Sequence, residues 1–229
     1  MWIKICANTN LDDAQLAAGL GADAVGFVFA PSARRVTAAE VARITPYLPD
    51  KVERIGVVHS HDVDEIAGIV HEAELTGVQL HGGVDPALAR RLREIFKGRL
   101  TIIQTVHWLV DGDGANADEV ARQLREIGSA GVVDRVLIDS KVGAAIGGTG
   151  VAFDWDAARG VLAEASRGLK VIVAGGLRPE NVAEAVRGLS PWGVDVASGV
   201  EAVPGRKDAK KLAAFIRSAR GKAAVRGAS

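Results

Sequence analysis

The chain has 229 residues, 48% hydrophobic and 4% aromatic, enough for one sizeable domain or two small ones and too apolar for a largely disordered chain. Lys plus Arg and Asp plus Glu both number 28, so the formal charge is zero and the basic excess typical of nucleic-acid binding is missing. One cysteine excludes an internal disulfide; with no secretory leader pattern and no apolar run near the ~18 residues that span a bilayer, a soluble cytoplasmic protein is expected.

In chain order, short β-branched runs predict strands over Ile3–Cys6, Ala24–Phe29, Arg54–Val58, Gly77–Leu80, Thr101–Val106, Arg135–Asp139, Lys170–Ala174 and Gly193–Ala197. Each is followed by a segment of helical period: Leu11–Leu20, Ala38–Tyr47, Val63–Glu74, Pro86–Phe96, Asn116–Gly128, Asp156–Ala165, Pro179–Arg187 and Lys207–Ala219. Asp85-Pro86 and Arg178-Pro179 put proline in a first helical turn, where its missing N–H does no harm. Thr37 with Glu40 three residues later has the spacing of a capping box.

Eight strands alternating with eight helices define an α/β fold, a single (β/α)8 TIM barrel, because eight parallel strands close around an interior that side chains can fill. A doubly wound sheet would carry a glycine fingerprint after its first strand, and Ala7-Asn8-Thr9-Asn10 is not one. The barrel is expected over residues 1–220, with a frayed small-and-basic tail over 221–229.

Such barrels place their chemistry at the C-terminal ends of the strands. Gly175-Gly176 after strand seven and Ser198-Gly199 after strand eight lie where these barrels bind phosphate through backbone N–H groups, although each glycine pair also simply permits a tight turn. Gly147-Gly148-Thr149-Gly150 lies in a long loop after strand six, Ser140 to Gly150, of the kind that closes over a ligand, and Gly148 is a candidate contact. Asp139 follows three apolar residues at the end of strand six. It reads either as a half-buried general acid or as a cap for its own loop.

Cys6 ends strand one. It is either a small buried hydrophobe or a thiol that serves as a base once its pKa falls toward neutrality. Arg34 or Arg35 in the loop after strand two suits a two-pronged grip on a carboxylate, with the other one solvated. His81 ends strand four and faces a ligand or a rim hydrogen bond. His59-Ser60-His61 has no third ligand at a recognisable spacing, so the sequence speaks against a metal.

As an ordered set, these residues resemble phosphoribosylanthranilate isomerase, from strand one to about Phe215. The carriers are Lys4-Ile5-Cys6, Gly21 to Phe29, Ser32 to Val36, Val78 to Gly82, Asp139, Gly147 to Gly150 with Phe153-Asp154-Trp155, Ala174 to Leu177 with Pro179 to Val182, and Val194 to Glu201 with Pro204-Gly205 and Lys207-Asp208. The resemblance implies an Amadori rearrangement of a phosphorylated aminoaldose in tryptophan biosynthesis, with no cofactor and no metal, in a monomer or homodimer. It implies Asp139 as general acid, Cys6 as general base, Arg34 on the anthranilate carboxylate, and Gly175, Gly176, Ser198 and Gly199 around the phosphate.

The chain departs from the family at Ala7, where glycine is usual after the cysteine, and at Ala33, where proline is common. A Cβ at position 7 either crowds Cys6 or resists a positive φ. Two other readings remain open: the related histidine-pathway or dual-substrate isomerase, which uses an aspartate where Cys6 stands, and a non-catalytic phosphate-binding barrel.

Overall fold

The computed structural model describes residues 1–109, 116–141 and 155–221. Strands β1 Trp2–Ile5, β2 Ala24–Val28, β3 Glu53–Val58, β4 Gly77–Leu80, β5 Thr101–Leu109, β6 Arg135–Lys141, β7 Val171–Val173 and β8 Gly193–Val196 form a closed barrel in chain order. All neighbours pair in parallel, and β8 returns to β1 with Lys4 opposite Asp195 and Ile5 opposite Val196. The expected (β/α)8 barrel is therefore the fold.

Its helices are α1 Leu11–Gly19, α2 Ala38–Ala42, α3 Val63–Glu72, α4 Pro86–Ile95, α5 Ala117–Ala130, α6 Trp155–Ala165, α7 Val182–Leu189 and α8 Ala209–Ala219. None of the described helices is long and apolar enough to cross a membrane.

The period of two in each strand divides its side chains between two cores. Ile3, Ile5, Val25 and Phe27 are fully buried against the helices, each contributing about 1.5–3 kcal/mol of transfer free energy. Ala24, Ile55, Ile103, Leu137 and Ile172 fill the barrel interior, with Trp2 and Trp192 packed on them. At the N-terminal end, Trp2 Nε1 donates to Glu53 at 2.9 Å, and Arg135 binds both oxygens of Glu53 at 2.6 and 2.7 Å. The same guanidinium lies 4.7 Å over the Trp2 ring and 4.8 Å over Trp192, closing that end with a cation on aromatic faces.

Several local expectations hold. Thr37 and Glu40 form the reciprocal capping box, and Asp85 caps α4 with Pro86 in its first turn. Three helix boundaries are corrected. The Ala38–Tyr47 segment breaks into α2 and a 3-10 turn at Thr45–Tyr47, because Pro46 cannot donate within a continuous helix. The seventh helix starts at Val182 rather than Pro179: Asn181 accepts from Arg178 N at 2.8 Å and donates to Gly176 O at 3.0 Å, holding 178–181 as a turn. The eighth starts at Ala209, capped by Asp208, because Lys207 belongs to a short hairpin of β9 Glu201–Val203 and β10 Arg206–Lys207. The tail beyond Gly221 lies outside the described residues.

Candidate active site

A cavity of about 860 Å3 opens at the C-terminal mouth of the barrel. Cys6, Arg34, His81, Asp139, Gly175, Gly176, Ser198 and Gly199 all line it, so the strand ends bring together every expected site residue except Gly148, which lies outside the described residues.

Cys6 follows β1 directly, and its N–H still continues the ladder to Val196 O at 2.8 Å. Its side chain fits because β2 carries Gly26 opposite: a Cβ there would meet Cys6 Sγ at 2.8 Å. The chain then turns at Ala7, which takes φ = 60°, the left-handed conformation that glycine adopts without cost. Asn8 holds the turn by donating from its backbone to Gly26 O at 2.9 Å and from its side chain to Ile5 O at 2.8 Å. Ala7 therefore follows a glycine-like backbone path at a cost in strain.

Burial pushes the Cys6 thiol above its usual range, against the pull of Lys4; Asp195 adds to the rise and Lys207 opposes it. A fall toward neutrality, the condition for the thiol to serve as a base, is opposed by burial, which outweighs the partial offset from Lys4 and Lys207. Asp139 shifts in the direction a general acid needs. Burial, with Asp195 adding to it and Lys4 opposing, raises its carboxyl to about 7.

Beneath these two groups lies a polar layer. Lys4 is fully buried and donates to Gln79 Oε1 at 2.8 Å and Asp195 Oδ1 at 3.1 Å. Gln79 donates to Thr105 Oγ1 at 3.1 Å, which lies 3.2 Å from His81 Nδ1. His81 is thus oriented from below, and its ring packs at 4.7 Å on His107 and 5.0 Å on His59. The ligand-type atoms of His81, His107 and Asp139 all lie within 4.8 Å of one another, which gathers two imidazoles and a carboxyl at one point of the mouth.

Arg34 reaches the cavity, while Arg35 is exposed. The Arg34 guanidinium is held by Glu201 through Nε at 2.9 and 3.0 Å and Nη2 at 2.7 Å. The burial of Glu201 is outweighed by Arg34 and Lys207, which hold its carboxyl below the usual range. Buried Lys207 in turn donates to Cys6 O at 2.6 Å, tying the hairpin to the end of β1.

The two glycine turns interlock. Gly175 and Gly176 take φ of 80° and 64°, and a Cβ on Gly175 would collide with Ser140 Oγ at 2.1 Å. A Cβ on Gly199 would fall 1.9 Å from Leu177 O. Gly176, Ser198 and Gly199 border the cavity, where backbone N–H groups of such turns can serve an anion.

Lys4, Gln79, Asp195, Glu201 and Lys207 were not singled out as site residues from sequence. For Lys4 the signal was present: two residues before Cys6 on one strand, it shares the inward face. Glu201 and Lys207 act through a hairpin too short to show a period.

A parallel barrel with a deep rim cavity, a buried carboxyl and thiol, and glycine turns after its last two strands defines the class as a β/α-barrel enzyme with its site at the C-terminal rim. The profile of the N-(5'phosphoribosyl)anthranilate (PRA) isomerase family matches residues 3–218. The chain is 38% identical over 220 residues to N-(5'-phosphoribosyl)anthranilate isomerase of Thermotoga maritima, covering 96% of this chain and 98% of the relative, and 37% identical over 217 residues to that of Microcystis aeruginosa, covering 94% and 96%. The solved Thermotoga maritima phosphoribosyl anthranilate isomerase superposes with a TM-score of 0.81 at 34% identity, covering 96% of this chain and 99% of that one. Another, in complex with reduced 1-(o-carboxyphenylamino)-1-deoxyribulose 5-phosphate, gives 0.78 at 34% identity with the same coverage. The chain belongs to the N-(5'-phosphoribosyl)anthranilate isomerase family.

Proposed function

We propose that the rim cavity converts N-(5'-phosphoribosyl)anthranilate to 1-(2-carboxyphenylamino)-1-deoxyribulose 5-phosphate, with Asp139 as general acid and Cys6 as general base. As a member of its family the protein is an isomerase of tryptophan biosynthesis. The observation that carries the assignment of roles is that β1 and β6 deliver a thiol and a carboxyl raised to about 7 into one cavity.

Asp139 gives its proton to the ribose ring oxygen. The C1′–O bond breaks, and the nitrogen lone pair forms a protonated Schiff base. The Cys6 thiolate takes the C2′ proton, and the C–H electron pair moves into a C1′=C2′ bond and neutralises the nitrogen. The enolamine then becomes the ketone by protonation at C1′ and loss of the C2′ hydroxyl proton, and proton exchange restores both side chains.

The Gly175-Gly176 and Ser198-Gly199 turns hold the phosphate, and Arg34 meets the anthranilate carboxylate. His81 borders the ribose. A catalytic thiol stays reduced in the cytoplasm, which is where this reading places the protein.

The test is an assay of the purified protein on the anthranilate aminoaldose and on its histidine-pathway counterpart. Turnover of the first is expected; turnover of neither overturns the reading, and turnover of both makes the enzyme dual-substrate. Cys6→Ala and Asp139→Asn should each lower kcat by about 10²-fold or more while a phosphorylated product analogue still binds. Wild-type kcat in Cys6→Ala removes the thiol from the mechanism.

A further inference from the structure

The roles proposed above leave Lys4 without a task, although it occupies the centre of the barrel. Its side chain is 0% exposed. Anchors on two other strands, Gln79 on β4 and Asp195 on β8, hold its ammonium at 2.8 and 3.1 Å, so the charge is fixed in the interior. As a stabilising device this is a poor one. Burying a lysine and a carboxylate strips both ions of their hydration, and an apolar residue of the same volume fills such a site as well or better. Lys4 also lies beside the thiol: the position where a Gly26 Cβ would stand is 2.8 Å from Cys6 Sγ and 2.9 Å from Lys4 Cε.

We propose that Lys4 is a positioning residue for Cys6, the fixed counter-charge that makes the thiolate attainable in a site otherwise too dry to hold it. The inference rests on the reading of Cys6 as the base. When the thiolate takes the C2′ proton, an S–H bond forms and a C–H bond breaks, and the negative charge leaves the sulfur as the positive charge leaves the nitrogen. Lys4 keeps its own proton throughout and remains paired to Asp195. Without its charge, the thiolate would face Asp195 with only Lys207 and Arg34 to offset it, and Asp139 across the mouth. Burial works against the ammonium, but attraction to Asp195 and Cys6 outweighs it and raises Lys4 above its usual range.

The experiment is the pH dependence of iodoacetamide alkylation in substrate-free protein. Cys6 is the only cysteine, so the modified site is unambiguous. Lys4→Gln and Lys4→Met should move the inflection up by about one pH unit, which lowers the alkylation rate at pH 8 about tenfold. Lys4→Arg, which keeps the charge, should restore it. A purely structural Lys4 would lower the Tm of the Gln variant and leave its inflection in place, and that result overturns the proposal. Should Lys4→Gln fail to fold, the double variant Lys4→Gln/Asp195→Asn carries a neutral pair instead. Compared with Asp195→Asn alone, it should show a rise in the same direction, and equal inflections in these two variants are equally decisive. No substrate enters the measurement, so the outcome is independent of the turnover assay.

Discussion

Glu201 holds Arg34 by both of its oxygens, and the contact spans the barrel mouth from the loop after β2 to the hairpin after β8. The arginine proposed to meet the substrate carboxylate is thus oriented in the substrate-free site, by a carboxylate that is itself bound to Lys207 at 3.4 Å.

Glu201→Gln should therefore weaken substrate binding although Glu201 touches no substrate. The guanidinium keeps one hydrogen bond but loses its planar clamp, and KM should rise about tenfold with kcat changed much less. Arg34→Met should give a larger rise in KM for the anthranilate substrate. Steady-state kinetics on the two variants check this, and an unchanged KM in both would remove Arg34 from carboxylate binding.

Asp139 makes a prediction in which activity and stability fall together as pH rises. With Asp139 as the proposed general acid its protonated form would be the active one, so the acid-dependent limb of kcat/KM should fall as pH rises through about 7. For stability, a carboxyl raised in the folded state binds its proton more tightly than in the unfolded chain. Its contribution is fully present below the unfolded value of 3.8 and is lost as pH climbs to about 7. Asp139→Asn removes that loss, so its Tm relative to wild type should increase between pH 4 and pH 8, while its activity is poor throughout. Thermal melts across this range check it; a constant difference would mean the carboxyl titrates normally.

Ala7→Gly should raise stability by up to about 1 kcal/mol, because the left-handed backbone that alanine adopts at cost is open to glycine, less the extra freedom glycine gains when unfolded. The backbone path is already the one glycine would follow, so kcat should stay within about twofold of wild type. A large gain in kcat would show instead that the alanine Cβ crowds the thiol.

Gly199→Ala would drive a methyl group onto Leu177 O, forcing apart the two turns proposed to hold the phosphate. Binding of inorganic phosphate should weaken by about tenfold or more, with the barrel still folded. Titration calorimetry with phosphate reads the loss, and unchanged affinity would place the phosphate elsewhere on the rim.

Much of this was legible from the chain. Strands announce themselves through β-branched runs, and the eight-fold alternation fixed the architecture, which in turn placed Cys6, Asp139 and the glycine turns at one mouth. The less legible features depend on contacts distant in sequence. Lys207 looked like the start of a helix because its neighbours have helical period, but its ammonium is needed 201 residues away at Cys6 O. Asn181 delays α7 by bonding back to Gly176, a choice that local propensity does not contain. The direction of the thiol's pKa depends on how dry the site is, which only packing decides.

At the opposite end of the barrel, Arg135 and Glu53 lock β6 to β3 between the rings of Trp2 and Trp192. This closure uses none of the residues that line the mouth. The work of keeping eight strands in a ring is anchored at the floor, so the loops above can be rewritten for another substrate without reopening the question of how the chain folds.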